Sequence, residues 1–106
     1  MNTDVRIPLN TTQIGAFCRG HHIRCMWLFG SVLRDDFGPH SDVDVLVEFE
    51  GGFSPTMHDY VEAQSDLAVL LRRDVDLVER RAVEASKNYI RRRHILDSIE
   101  PIYVAG

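Results

Sequence analysis

Apolar residues recur along this chain at two spacings, and the switches between the two mark its elements. Ile14, Phe17, Cys18 and His21 fall at helical spacing, which predicts a helix of about ten residues opened by Asn10 or Thr11 and ended near Gly20. Ile23 to Phe29 follows with both faces mostly apolar, as in a central strand covered on both sides. Past Gly30-Ser31 a short helix is predicted, and Gly38-Pro39 stops it. A period-two stretch comes next, with Val43, Val45, Val47 and Phe49 on one face and Asp42, Asp44, Leu46 and Glu48 on the other. Ser54-Pro55 is expected to open a second long helix in the N-cap and N1 positions. Met57, Tyr60, Val61, Gln64, Leu67, Ala68 and Leu71 form its predicted buried stripe. Asp74 to Glu79 reads as a short strand. Ala82 to Ile99 reads as mostly helical, with Ala85, Tyr89, Leu96 and Ile99 inward, Pro101 as its stop and Ile102 to Val104 as a short extended piece. The expected fold is α/β (α+β), a small mixed sheet of about four strands with packed helices and the acidic strand near its centre.

Composition narrows the class. The 106 residues, 44% hydrophobic and 26% charged, suit one globular domain over residues 1–106. Neither an apolar run of ~20 residues nor a signal peptide is evident, so no membrane association is expected. Cys18 and Cys25 sit in apolar segments without C-x-x-C spacing, and read as reduced core thiols of a cytoplasmic protein. Charge is uneven: residues 1–70 carry −6 and residues 71–106 carry +2, for a net −4. An acidic chain is a poor non-specific nucleic-acid binder, and no direct nucleic-acid contact is expected. Arg91, Arg92 and Arg93 fan around a helix at ~100° each, so they make no flat cationic stripe. A solvated face is the default for them, with contact to a partner or a triphosphate left open. The five histidines, 21, 22, 40, 58 and 94, lack H-E-x-x-H spacing, and no Walker loop or G-x-S-x-G elbow occurs.

The acidic strand carries the candidate chemistry. Asp42 and Asp44 are same-face neighbours with Cα atoms ~6.5 Å apart, and such a pair suits a hard divalent ion held by oxygen. Upstream, Gly30 lets the backbone approach a ligand, and Ser31 is placed to cap the helix behind it. A Gly-Ser turn at a helix N-terminus is a seat for phosphate. If the Asp74–Glu79 strand lies beside the acidic one, a third carboxylate joins; spacing alone does not choose between Asp74 and Asp76.

Gly30-Ser31, ten residues, then Asp42-x-Asp44 resembles the signature of the DNA polymerase β-type nucleotidyltransferase superfamily. Phe29-Gly30-Ser31-Val32-Leu33-Arg34, Ser41-Asp42-Val43-Asp44 and Val75-Asp76-Leu77-Val78 extend the likeness to the minimal nucleotidyltransferases, small antitoxins of HEPN-domain toxins. Many members have Gly after the arginine, where this chain has Asp35. The resemblance implies that superfamily's fold and an Mg²⁺-dependent protein adenylyltransferase. Such an enzyme transfers AMP from ATP to a hydroxyl, a tyrosine of a HEPN ribonuclease toxin, and so silences it in a hetero-oligomer. It implies Asp42, Asp44 and Asp76 as catalytic residues holding two Mg²⁺ ions, and it picks Asp76 over Asp74. It implies Gly30, Ser31 and Arg34 as nucleotide-binding residues. Larger superfamily members carry a further domain that helps to hold the acceptor, so a site open on the acceptor side is expected here. Two other readings stand beside this one: an antitoxin that neutralises by binding alone, and an aminoglycoside-type small-molecule nucleotidyltransferase.

Overall fold

A computed structural model describes residues 9–33, 38 and 41–105. Its elements are α1 (Thr11–Gly20), β1 (Ile23–Phe29), a 3₁₀ turn (Gly30–Leu33), β2 (Val43–Phe49), α2 (Met57–Leu71), β3 (Val75–Glu79), α3 (Arg80–Glu84), α4 (Tyr89–Leu96) and β4 (Ile99–Val104). The strands form one sheet in the order β3-β2-β1-β4. β1 pairs antiparallel with β2 and with β4, whereas β2 and β3 run parallel. The sheet is therefore mixed, with the acidic strand β2 inside it, as the pattern predicts.

The two faces of the sheet are covered unequally. Val43, Val45, Val47 and Phe49 of β2 join Met26, Leu28 and Val75 against Ile14, Phe17 and Cys18 of α1 and Ala63 and Leu67 of α2. On the opposite face Phe29 and Leu46 meet Val83 and Ile95, with Trp27, Val78, Leu96 and Ile99 partly buried around them. Trp27 belongs to this smaller cluster, and the Arg80 guanidinium lies 4.6 Å from its ring. The core reading of the cysteines holds: both are buried free thiols. Burial pushes the Cys18 thiol up to about 12, which leaves it inert as a nucleophile.

Helix α1 starts where expected, with the Asn10 side chain accepting the Gln13 N–H. Helix α2 starts later than Ser54-Pro55 predicts. Its N-cap is Thr56, which exchanges hydrogen bonds with Asp59 in a capping box; two free donors are satisfied there rather than one. Its buried stripe is also rotated from the predicted one. Ala63 and Leu67 are buried, while Met57 and Val61 are 77% and 59% exposed. The Tyr60 hydroxyl donates to Glu79 and the Gln64 side chain accepts the Leu77 N–H, so contacts with β3 fix the rotation of the helix.

The predicted helix over Ala82–Ile99 is corrected. Two short helices take its place, and Ile99 belongs to β4. Ser86 and Asn88 divide them, because the Ser86 hydroxyl accepts the Asn88 N–H and the Asn88 side chain accepts the Arg91 N–H. Short polar side chains favour such local bonds over a continuous helix. Tyr89, expected inward, is 69% exposed at the start of α4. Pro101 does not stop a helix. It sits within β4 opposite Trp27, beside a register shift, an edge-strand position that tolerates a missing N–H. Among the described residues no helix is long and apolar enough to cross a membrane.

Candidate active site

The site is built where β1 ends and β2 and β3 begin. At Gly30 the chain turns with φ +77°, and a Cβ there would overlap the Asp44 carboxylate. Only glycine meets both demands, a left-handed backbone and direct contact with a carboxylate. Val32 is fully buried and anchors the 3₁₀ turn to the main core, so the backbone of Gly30 and Ser31 is held firmly against β2.

Asp44 is the second residue of β2. It lies opposite Phe29 of β1 on one side and Asp76 of β3 on the other. Neighbouring strands are ~4.8 Å apart and residues in register share a face. Asp44 and Asp76 are therefore adjacent carboxylates on the thinly covered face. Like charges placed directly across a sheet destabilise it. Asp76, and not Asp74, stands level with Asp44 in the register of the two strands. The carbonyl of Asp74 instead accepts the Val43 N–H at 2.9 Å.

Asp42 lies at the same end of the sheet, at the entry to β2. Strand β2 begins at Val43, so Asp42 stands just ahead of it. It is exposed, and it lines a hollow of about 570 Å³ with Ser41, Arg72, Arg73, Asp74 and residues of α2. A separate hollow of about 400 Å³ holds Asp44, together with Phe29, Gly30, Leu33, His94, Ile95 and Ser98. The turn before Asp42 is pinned by Arg73, whose guanidinium donates to the Gly38 carbonyl and, at 3.1 Å, to that of Ser41. Arg34 and the side chain of Ser31 lie outside the described residues.

Two contributors escape a reading of the sequence. Arg73 appears there only as half of an Arg-Arg pair at a helix end. His94 appears as the tail of a basic run, yet the end of α4 supplies one wall of the Asp44 hollow. The three arginines before it do not line that hollow. Arg92 stacks on Tyr89 at 4.7 Å and donates to the Glu84 carbonyl, and Arg93 pairs with Asp97 at 3.5 Å. An all-oxygen donor set of adjacent carboxylates fits a hard divalent ion, and a glycine turn packed against it gives backbone donors for phosphate.

Metal-compatible carboxylates beside a phosphate-compatible turn, on a small mixed sheet, define a nucleotidyl-transfer scaffold. Residues 12–99 match the family model "Nucleotidyltransferase domain", and the chain belongs to that family. It is 30% identical over 63 residues to a Methanocaldococcus jannaschii protein named "Putative protein adenylyltransferase", a match that covers 59% of this chain and 63% of that relative. A solved "putative minimal nucleotidyltransferase" superposes with a TM-score of 0.65 at 30% identity, covering 86% of this chain and 87% of its own. A toxin–antitoxin crystal structure with AMP-PNP gives a TM-score of 0.68 at 21% identity, covering 92% and 75%. The MNT antitoxin bound to a tri-AMPylated Shewanella oneidensis HEPN toxin gives 0.59 at 20% identity, covering 90% and 70%. The last two likenesses are of fold alone.

Proposed function

We propose that the chain is an adenylyltransferase antitoxin that moves AMP from ATP to a tyrosine hydroxyl of a HEPN-domain toxin and silences it in a hetero-oligomer. The observation that carries the reading is the in-register pair Asp44–Asp76 set against the Gly30 turn. A like-charge pair costs stability in a sheet, so its presence is best explained by use. The M. jannaschii relative's name and the AMPylated toxin beside the S. oneidensis antitoxin support the substrate class. Buried free thiols at Cys18 and Cys25 suit a reducing cytoplasm.

Asp42, Asp44 and Asp76 would hold two Mg²⁺ ions. Bound Mg²⁺ supplies charge neutralisation for the triphosphate and lowers the pKa of the acceptor hydroxyl. The chain's own groups do the rest. The N–H groups of Gly30 and Ser31 and the Ser31 hydroxyl cradle the β- and γ-phosphates, and Arg34 adds a charge-assisted bond. Asp76, exposed at the rim, accepts the proton of the attacking hydroxyl. The oxygen then bonds to the α-phosphorus and pyrophosphate leaves. The test is Mg²⁺-dependent transfer of label from α-labelled ATP to a co-expressed HEPN partner. Label on the partner's tyrosine supports the reading. Neutralisation without label would leave a binding antitoxin, and labelling of an aminoglycoside alone would overturn the protein acceptor.

A further inference from the structure

A second group of ligand atoms lies far from the carboxylate edge. His21 caps the C-terminal end of α1, and Glu62 and Asp66 stand one turn apart on α2. One ligand atom from each lies within 4.8 Å of the other two. His21 Nε2 is 3.0 Å from Asp66 Oδ2, and the His21 side chain is only 17% exposed. Its ring is held by Phe17, with centroids 4.6 Å apart. From the preceding turn of α2, His58 Nε2 approaches Glu62 Oε2 to 3.3 Å.

The imidazole contacts account for His21 with Asp66 and for His58 with Glu62, but not for the two carboxylates standing side by side against one imidazole. Like charges four residues apart on a helix repel, yet the Glu62 carboxylate lies beside that of Asp66. A cation shared by all three groups turns this repulsion into attraction. One imidazole nitrogen with two carboxylates is the donor chemistry of Zn²⁺ and its first-row neighbours, whereas Mg²⁺ takes oxygen. Two donors ~2.0–2.2 Å from a tetrahedral ion lie about 3.3–3.6 Å apart, so the 3.0 Å pair has only to open slightly to admit one.

We propose that His21, Glu62 and Asp66 bind a divalent transition-metal ion of the Zn²⁺ class, which clamps α1 to α2. His21 precedes β1, and Asp44 pairs with Phe29 at the other end of that strand. At ~3.3 Å per residue the two sites are roughly 20 Å apart. The ion is therefore structural and takes no part in nucleotidyl transfer, and the proposal stands apart from the function proposed above.

The test uses the full chain, free of any purification tag and stripped with chelator. It is titrated calorimetrically with ZnCl₂ alone while excess Mg²⁺ occupies the aspartate edge, and Co²⁺ spectra report imidazole ligation. Expected are one equivalent of Zn²⁺, a higher melting temperature, and binding weakened at least ~10–100-fold in Glu62→Gln and in His21→Gln. Glu62→Gln leaves the His21–Asp66 pair intact and so separates ligation from folding. His58→Gln has a smaller effect, because His58 only steadies Glu62. Zinc affinity equal in wild type and Glu62→Gln, or a melting temperature that zinc does not raise, overturns the proposal.

Discussion

The two faces of the sheet follow different rules. The face under α1 and α2 buries a continuous run of aliphatic and aromatic side chains, and α2 supplies fifteen residues of cover. On the face under α3 and α4 the buried cluster is Phe29 and Leu46 of the sheet with Val83 and Ile95 of the helices, which are only five and eight residues long. The acidic pair lies on the second face. A thick layer holds the strands in register, and the thin layer leaves their ends reachable. Stability and access are divided between the two sides of the same strands, and β2 serves both.

If that division is right, mutations on the two faces should separate activity from stability. The largest effect is expected at Asp44. Asp44→Asn should reduce labelled AMP transfer below detection while the melting temperature stays level or rises, because a like-charge neighbour of Asp76 is removed. Transfer close to wild type would break the comparison at its centre. Next comes the core contrast. Leu67 is fully buried in the thick layer, so Leu67→Ala should cost about 2–5 kcal/mol in urea unfolding. Ile95→Ala should cost less, yet weaken binding of a fluorescent ATP analogue, because Ile95 also lines the Asp44 hollow. Equal stability losses with unchanged nucleotide affinity would count against a functional thin layer.

Gly30→Ala tests the junction of the two layers. Its backbone strain should cost about 1–3 kcal/mol, and displacement of the Asp44 carboxylate should weaken transfer beyond what the stability loss explains. The smallest effect belongs to Thr56→Ala, which removes the α2 cap and should cost about 1 kcal/mol without changing transfer. Hydrogen bonds from the Thr56 N–H and hydroxyl hold the Asp59 carboxyl below its ordinary value. That contribution is present above the unfolded-state pKa and is lost as pH falls through the lower folded value. Acid unfolding should therefore be shallower in the variant than in wild type.

Much of this arrangement is legible in the residues themselves. The alternation Val43, Val45, Val47 against Asp44 and Glu48 announces β2, because a strand with one face in the main core must repeat every two residues. Gly30 before a short turn announces a backbone contact. The choice of Asp76 over Asp74 is not local information, since it depends on a parallel register that no single segment specifies. Asp42 stands one residue before β2, where alternation carries less weight than inside the strand. The C-terminal third is the least legible part. Tyr89 and Ile90 are exposed, while Ile95, which follows the arginine run, is buried against Phe29, Leu46 and Val83, so no clear apolar stripe marks α4. Pro101 looks like a stop signal until its partner strand is known.

The setting of Pro101 bears on how this molecule meets others. β4 is one edge of the sheet and β3 the other. A bare edge is a template onto which any extended chain can add. Along β4 the proline offers no N–H, and the register shift next to it bends the ladder. Along β3 the Leu77 N–H is already taken by the Gln64 side chain. Both margins therefore resist zippering by a stray strand, whether from a second copy or from an unfolded neighbour. A partner that approaches either edge finds fewer free backbone groups there than a plain edge strand would offer.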